Sequence, residues 1–539
     1  MACGGQRGNS ANLVAISVVY SCENIMTRQT KLKLNLVSSL AYQLITIVCG
    51  FILPRFFLSY YGSEVNGLVS SITQFLGFVS LAECGVGAVV QSTLYKPLAN
   101  NDMVAVSKIV LSSERFFKRI AYILLGYIIV LTTVYPFIVI DSFDHLFTII
   151  LILVISISTF AQYYIGMTYK LLLNADQLGF IQYTIHAVVL ILNTISCILL
   201  MQCGAAIQIV KLTTSLLFVM QPVLLSAIAR RKYKIDRSIK LAEDPVAQKW
   251  NGLAQHIATV VLGNTDTVVL TVLSTLQNVS VYAVYHLVVN GVKQIVFSLT
   301  NGMQAMLGNM LAKNEMKELN RSFERIEWSL HTLVTWAFSV TGVLIVPFVR
   351  VYTNGITDAD YIVPLFACLI TLAQASYCLR LPYNIMVLAA GHYKQTQWSA
   401  IIEATINVVV SVALVFRFGL VGVAFGTVAA MIYRTIYLVC YLKKNILYRK
   451  IRHFLKHLLV DACGAALLVV FVGIFKSFYT MEQISYLAWV VLAIKIALTS
   501  GVCLVFVNTV FYTKQTKCLI ISMKKYFVKF KAKFKKCAK

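Results

Sequence analysis

Charge is scarce in this sequence. Of its 539 residues, 13% are charged and 59% are hydrophobic, whereas a soluble chain carries about 25% charged residues. Acidic residues are rarest, 21 against 47 lysines and arginines, and the formal net charge is +26. Such an excess could indicate binding to nucleic acid, but the basic residues lie between long apolar runs, where membrane orientation requires them. The composition therefore excludes an ordinary soluble protein and argues against nucleic acid as a partner.

Sequence signals for an enzyme or a metal centre are also missing. The 13 cysteines lie mostly inside apolar runs, as Cys49 and Cys197 do, and no pair has the spacing of zinc ligands. There is no HExxH, GxSxG or phosphate-binding-loop pattern. Asp358 and Asp360 lie in a short gap and are expected to be solvated charges rather than metal ligands. A membrane glycosyltransferase or ligase would need a large outer loop, which the sequence lacks, so we expect no enzyme, cofactor or metal site.

Long apolar runs make up most of the chain. A helix that crosses the bilayer needs about 20 mostly apolar residues, and fourteen runs meet that length. They are residues 36–58, 65–94, 120–140, 147–169, 180–201, 205–228, 252–273, 279–303, 328–349, 361–388, 397–416, 421–442, 454–474 and 486–510. The sequence therefore predicts an all-α polytopic membrane protein.

The basic residues lie in alternate gaps between these runs. Residues 230–234 read RRKYK, and the gap 443–456 is also basic. The opposite gaps and their edges hold Arg55, Arg350, Arg417 and Lys476. Because cytoplasmic loops retain lysine and arginine, this alternation predicts an inner-membrane protein with both termini in the cytoplasm.

The two ends of the chain differ from this pattern. Residues 1–25 lack the layout of a signal peptide, and Met26 begins a more natural start, so we predict that 1–25 is a non-native or disordered extension. The basic tail 513–539 surrounds Phe527, Phe530 and Phe534 with lysines, and the three rings fall on one helical face. Such a tail would lie on the anionic inner leaflet or remain solvated, and the sequence leaves both readings open.

A weak internal repeat divides the chain. Residues 39–50 and 252–263 share five of twelve positions, and both segments begin on the inside. A parallel repeat of this kind occurs in transporters that rock two similar halves. We therefore predict an N-terminal lobe at 26–229, a cytoplasmic loop at 230–250, a C-terminal lobe at 251–442, two additional helices at 453–512 and the tail.

Few polar residues interrupt the apolar runs, and the eighth run contains most of them. His286, Asn290, Lys293 and Asn301 fall within roughly 80° of one another on a helix, at 100° per residue, and Tyr282 extends this stripe. Polar groups at membrane depth must face protein or a water-filled cavity, and a charged Lys293 needs an anion or water. The stripe is expected to line a cavity, and the alternative is a structural ion pair between Lys293 and an acid such as Asp266 of the preceding run.

Other charges inside the runs allow two readings. Lys211 and Arg380 could line the cavity or brace a neighbouring helix, and Pro382 is expected to break the helix after Arg380. Arg55 is an interface anchor or a phosphate ligand at the outer exit. Structural pairs are predicted between Glu403 and Arg434 and between Asp461 and Lys495.

The net sign of these groups favours an anionic ligand. Lys211, Lys293 and Arg380 outweigh Asp266, and Glu83 reduces the excess without cancelling it. A positive cavity in a low-dielectric medium suits a phosphate or pyrophosphate. An exporter of organic cations would need the opposite sign.

Five segments resemble one family of exporters. They are residues 53–67 (LPRFFLSYYGSEVNG), 81–88 (LAECGVGA), 171–178 (LLLNADQL), 264–269 (NTDTVV) and 282–285 (YAVY). In their order and spacing they resemble the polysaccharide flippases of the MOP exporter superfamily, the Wzx/RfbX group, over nearly the whole chain from Met26.

The resemblance implies a MATE/MOP-like fold of two six-helix lobes plus two C-terminal helices, about 14 in all. It implies translocation of undecaprenyl-diphosphate-linked oligosaccharide by alternating access, for O-antigen, capsule or exopolysaccharide synthesis, with a polymerase and glycosyltransferases as possible partners. The pyrophosphate and sugar would contact Lys293, Asn290, His286, Lys211, Arg380, Arg55 and Asp266. The chain departs from lipid II flippases, because it has only Arg55 where they carry an arginine cluster. A lipid II flippase and a MATE-type cation or drug antiporter remain alternatives.

Overall fold

The computed structural model describes residues 28–83, 86–239, 253–300, 303–481, 483–513 and 515–516. Within them the fold is built from helices. The first half contains α1 (Arg28–Gly77), α2 (Val86–Ala99), α3 (Met103–Ile138), α4 (His145–Ala161), α5 (Met167–Ala175), α6 (Gly179–Gln202) and α7 (Ile207–Lys232). The second half contains α8 (Leu253–Leu273), α9 (Leu276–Thr300), α10 (Met303–Ala312), α11 (Met316–Tyr352), α12 (Pro364–Leu379), α13 (Leu381–Ala389), α14 (Tyr393–Phe418), α15 (Leu420–Asn445), α16 (Arg452–Ile474) and α17 (Tyr486–Phe511).

Thirteen stretches of the described chain are long and apolar enough to cross a membrane. One of them, Lys33–Glu83, has 51 residues and contains the first predicted run and most of the second. Many side chains on these helices are apolar and exposed, such as Leu487 at 77% and Phe416 at 72%. Exposed apolar surface on a helix of this length fits contact with lipid rather than water. The prediction of a polytopic helical membrane protein is therefore confirmed.

Helix boundaries depart from the predicted runs where the backbone bends. The second run is interrupted, because a 3₁₀ turn at Phe78–Glu83 separates α1 from α2. The fourth run contains a π-helical turn at Gln162–Gly166 between α4 and α5. The tenth run is broken at Arg380, between α12 and α13, as Pro382 predicts. Such breaks do not change the mean hydropathy, and only the proline marks one of them in the sequence.

Contacts within the chain define two compact units. Unit 1 comprises Met1–Leu53, Gly85–Phe137 and Phe143–Lys249, and unit 2 comprises Pro54–Cys84, Ile138–Ser142 and Trp250–Lys539. In unit 1, α4 and α6 both pack against α7. In unit 2, α14 packs against α8 and α15, and α11 contacts α12, α16 and α17. Residues 1–25, Asn301 and most of the basic tail lie outside the described part of the chain, so the predictions made for them stay predictions.

The kink inside α1 belongs to unit 2 and explains one loop acid. Gly62 has φ 80°, a left-handed conformation that glycine adopts without a Cβ penalty. The Asp358 carboxylate accepts hydrogen bonds from the Ser63 N–H and the Ser63 hydroxyl, both at 2.6 Å. Asp358 therefore caps the helical turn after the kink, as side-chain oxygens cap helix N-termini. Asp358 is an exposed loop residue, as the sequence predicts, and its capping of Ser63 is an additional role that the sequence does not show, because it depends on the backbone kink.

Candidate functional site

A helix break in unit 2 positions Arg380. The residue ends α12, and Pro382 lies in the first turn of α13, where its missing N–H costs nothing. Arg380 is 7% exposed, and its guanidinium donates to the Glu403 carboxylate of α14. The Arg380 side chain therefore lies at the junction of α12 and α13 and is buried in the interior of unit 2.

Glu403 contacts a second arginine. Arg434 of α15 lies 3.6 Å from the Glu403 carboxylate, and it also donates to the Thr396 carbonyl at 3.0 Å and to the Ser399 hydroxyl. Glu403 and Arg434 are 5% and 3% exposed. The predicted pair of Glu403 and Arg434 is confirmed, and Arg380 shares the same acid. The ion pair with Glu403 shows that Arg380 braces a neighbouring helix, α14, which was one of the two hypotheses for this residue.

Lys293 lies beside this ion cluster on α9. Its Nζ is 4.8 Å from the centre of the Tyr377 ring, and the Arg380 guanidinium is 4.2 Å from the same ring. A cation over an aromatic face gains about 0.5–2 kcal/mol. The ring of Tyr377 therefore holds two cationic side chains close together, which their mutual repulsion would otherwise oppose.

The charge of this cluster does not balance. We define the cationic cluster as Lys293, Tyr377, Arg380, Glu403 and Arg434. The cluster contains three basic side chains and one acid, which the two arginines share, so two positive charges remain in excess. In the described part of the chain, no carboxylate forms an ion pair with Lys293. A cation inside a membrane domain requires an anionic partner or water, and this cluster therefore has the electrostatics of an anion site.

The stripe on α9 continues from Lys293 towards Asp266. His286 and Asn290 precede Lys293 by seven and three residues, on the same helical face, and the His286 ring stacks on Tyr282 at 5.4 Å. The Tyr282 hydroxyl donates to the Asp266 carboxylate at 3.1 Å. The structure thus brings His286, Asn290 and Lys293 together on α9 as predicted, with Asp266 at one end of the stripe.

Asp266 itself is held by neutral donors. Thr427 donates to its carboxylate at 2.7 Å, and the Asn407 amide donates at 3.1 Å. The alternative of an ion pair between Lys293 and Asp266 is therefore wrong. The Asn407 carbonyl oxygen is buried and, within the described chain, accepts no hydrogen bond. A carboxylate with amide and hydroxyl oxygens nearby has the donor chemistry that hard cations prefer.

Arg55 and Lys211 lie apart from this cluster in sequence and are described by their own surroundings. Arg55, in unit 2, donates to the Asn354 carbonyl at 2.7 Å, which fits an anchor. Lys211, in unit 1, lies one turn before Thr214 on α7, whose hydroxyl is 3.2 Å from the Cys197 sulfur. A role in substrate binding for either residue stays a prediction.

A second buried network in unit 2 was missed by sequence reasoning. We call it the balanced network: Glu327, His331, Tyr383, Arg449, His457 and Asp461. Arg449 and Tyr383 both donate to Glu327 at 2.8 Å. His331 Nδ1 lies 2.6 Å from the Asp461 carboxylate, and its Nε2 lies 3.1 Å from the Tyr383 oxygen.

Both acids of this network have partners. The Tyr383 proton goes to Glu327, so the Tyr383 oxygen accepts from His331. Asp461 lies within hydrogen-bonding distance of His331, and Glu327 faces both Arg449 and His457. The two acids thus face one arginine and two histidines, so each carboxylate has a basic side chain beside it. The predicted pair of Asp461 with Lys495 is wrong, because Lys495 donates instead to the Phe478 carbonyl at 3.3 Å.

Comparisons with solved structures agree on the fold. The structure of "Lipid II flippase MurJ, inward closed conformation" matches with a TM-score of 0.63 and 16% identity, over 89% of this chain and 99% of that one. An inward-facing multidrug resistance MATE transporter of the MOP superfamily matches with a TM-score of 0.55 and 12% identity, over 76% and 99%. A variant of the Vibrio cholerae MATE transporter VcmN gives 0.53 and 13%, over 78% and 100%. No family model and no curated protein matches the sequence.

At these identities the likeness concerns the fold alone. The chain adopts the all-helical polytopic fold of MurJ and the MATE transporters, with 13 to 14 spans, and this confirms the predicted MATE/MOP-like fold. The matched structures are those of a lipid II flippase and of MATE transporters.

Proposed function

We propose that this protein is a flippase that moves undecaprenyl-diphosphate-linked oligosaccharide across the bacterial inner membrane by alternating access, for surface polysaccharide synthesis. The observation that carries the proposal is the excess of two positive charges in the cationic cluster. The resemblance to Wzx-type sequences and the MurJ-like fold support a lipid-linked substrate. The protein would contact membrane lipids. Its protein partners would be the polymerase and the glycosyltransferases of surface polysaccharide synthesis.

The cationic cluster fits the diphosphate. Lys293 supplies a point charge, and Arg380 supplies a planar guanidinium already oriented by Glu403 and Tyr377. Phosphate oxygens accept charge-assisted hydrogen bonds from both kinds of group. Because Arg380 is fixed by its acid and Lys293 is not, Lys293 is the side chain that would reorient towards the ligand. Asn290 and His286 would contact the sugar nearest to the diphosphate.

A ligand shifts the equilibrium between two states of a transporter only when it binds them with different affinity. The diphosphate in the cluster would neutralise its excess charge and so favour the conformation in which the cluster is closed around it. Outward movement of an anion is also favoured by an inside-negative potential, by about 2.3 kcal/mol per charge per 100 mV. Coupling to an ion is therefore not obligatory.

The test is the sidedness of the lipid-linked glycan. Cells that lack the gene would be converted to sealed vesicles, and labelled undecaprenyl-linked glycan would be treated with an impermeant glycan-cleaving enzyme. Without the gene, we expect the glycan to accumulate on the cytoplasmic face. The wild-type gene should reverse this accumulation, and so should the control Lys313→Ala, since Lys313 is exposed on a loop. Lys293→Ala should not reverse it. Normal sidedness without the gene would exclude the proposal.

Two other functions are kept because specific observations favour them. The matched MurJ structure is that of a lipid II flippase, and that role predicts that this gene rescues cells depleted of their own lipid II flippase. A MATE-type cation or drug antiporter would use the Asp266, Asn407 and Thr427 oxygens for a cation. It predicts that Asp266→Asn abolishes drug resistance while surface glycan stays normal.

A further inference from the structure

A cavity inside unit 1 is separate from the residues discussed so far. Its volume is about 350 Å³, at the lower end of the range of about 300–1,000 Å³ for small-molecule sites. It is lined by side chains of α1, α4, α5, α6 and α7 and by the π-helical turn. Five helices and a turn thus border a partly open space whose volume suits one ring-sized ligand rather than a long chain.

The π-helical turn shapes one wall of this cavity. Gln162 and Gly166, the two ends of the turn, both line it. Gly166 lies so close to α7 that an added Cβ would be 2.5 Å from the Pro222 side chain, so only glycine permits this approach. π-helical turns are rare and occur frequently at functional sites. The wall is therefore a built feature, held in place by the contact of Gly166 with Pro222.

The lining is unusually polar for its surroundings. Helix α4 is strongly apolar, yet its Ser158 and Thr159 both line this cavity. The other polar lining residues are Thr46, Gln162, Lys170, His186 and Gln221. Polar groups in a membrane domain are costly and tend to mark pathways and binding sites. Among the described residues, no aspartate or glutamate lines the cavity, which argues against a site for an organic cation.

Aromatic side chains lie among these polar groups. Tyr42 and Phe218 line the cavity, and the Tyr42 ring contacts His186 at 5.8 Å edge to face and Tyr183 at 6.0 Å. Amides and hydroxyls both donate and accept hydrogen bonds, as the hydroxyls of a sugar do. A flat ring offers an apolar surface to the C–H face of the same sugar. Size, hydrogen-bonding groups and aromatic rings together match a single sugar residue.

We propose that this cavity is a carbohydrate subsite that binds one hexose-sized residue, with Gln162 and Gln221 as ligands of its hydroxyls and Tyr42 beneath the ring. The inference rests on the proposed function, since the sugar would belong to the transported glycan. It adds a means of glycan selection in unit 1 that does not depend on the diphosphate. Replacement of Gln221 would alter sugar recognition and leave the cationic cluster of unit 2 intact.

The experiment measures sugar binding directly and does not require transport. Wild-type protein in nanodiscs would be titrated with the methyl glycosides of glucose, galactose, N-acetylglucosamine and glucuronic acid. Saturation-transfer NMR would measure binding at each step. We expect saturable binding of at least one glycoside, weakened tenfold or more in Gln221→Leu and in Thr159→Phe, which fills the cavity. Gln208→Leu, on the same helix but outside the lining, should bind like wild type.

The outcomes separate this proposal from the proposed function. The subsite would be overturned if none of the four glycosides bound saturably to folded wild-type protein. It would also be overturned if Gln221→Leu bound the glycosides as tightly as wild type. Loss of binding in Lys293→Ala as well would also overturn it, because that residue lies outside the cavity. Failure of the sidedness test with intact glycoside binding would instead remove the flippase role and keep the sugar site.

Discussion

Unit 2 contains two buried clusters of charge that differ in their balance. In the balanced network, each acid has a basic partner, because Glu327 faces Arg449 and Asp461 faces His331, and Tyr383 connects the two pairs by hydrogen bonds. In the cationic cluster, Glu403 is shared by two arginines, and Lys293 adds a third positive charge. Each cluster combines buried residues with half-buried ones, Lys293 and Tyr377 in one and Arg449 in the other, so the contrast lies in charge rather than in burial.

The difference indicates two roles. A buried charge set that neutralises itself needs nothing from outside, and it stabilises contacts between helices, here between α11, α13 and α16. A set with surplus charge is costly in low dielectric, and a ligand of opposite sign relieves that cost. The balanced network is therefore expected to respond to mutation by unfolding, and the cationic cluster by loss of transport.

The largest effect on stability is expected in the balanced network. Glu327→Ala removes the acceptor of Arg449 and Tyr383 and leaves a buried charge unpaired, which should lower the free energy of unfolding by about 3–5 kcal/mol. Tryptophan fluorescence during thermal unfolding in detergent would measure it. Glu324→Ala, three residues away and exposed, is the matched control, and equal melting of the two variants would contradict a structural role for the network.

The next effect separates function from stability. Lys293→Ala should reduce glycan translocation tenfold or more, because it removes the proposed charge contact with the diphosphate. A loss of about 1.4 kcal/mol of ligand interaction corresponds to a factor of ten. Its unfolding temperature should equal or exceed that of wild type, since one surplus positive charge is removed. Lys293→Arg should retain part of the activity. A strongly destabilised Lys293→Ala protein would show that Lys293 is structural, and the comparison of the two clusters would fail.

The smallest effect tests the ring between the cations. Tyr377→Leu removes the aromatic face shared by Lys293 and Arg380 and should cost about 1–2 kcal/mol of stability. Tyr377→Phe keeps the ring and should stay within about 0.5 kcal/mol of wild type. Thermal unfolding of the two variants side by side distinguishes ring contact from hydroxyl chemistry. Equal losses in both would show that the hydroxyl, not the ring, matters.

Much of the fold follows from the sequence, because apolar length and charge placement are local properties. The helical runs, the break at Pro382 and the common face of His286, Asn290 and Lys293 could be predicted. The partners of the charges could not, since they depend on how helices pack. Asp461 pairs with His331 instead of Lys495, and Asp266 pairs with neutral donors, because residues far apart in sequence meet at those positions. The sugar-sized cavity also depends on a π-helical turn that leaves no sequence signal.

The most direct test of the account is diphosphate binding by the cationic cluster. Undecaprenyl diphosphate would be titrated into wild-type, Lys293→Ala and Lys313→Ala protein in nanodiscs, and binding measured by calorimetry. The account predicts at least tenfold weaker binding in Lys293→Ala alone, with the effect reduced at high salt as screening weakens charge contacts. Equal affinity in all three proteins would contradict the assignment of the surplus positive charge to an anionic lipid ligand.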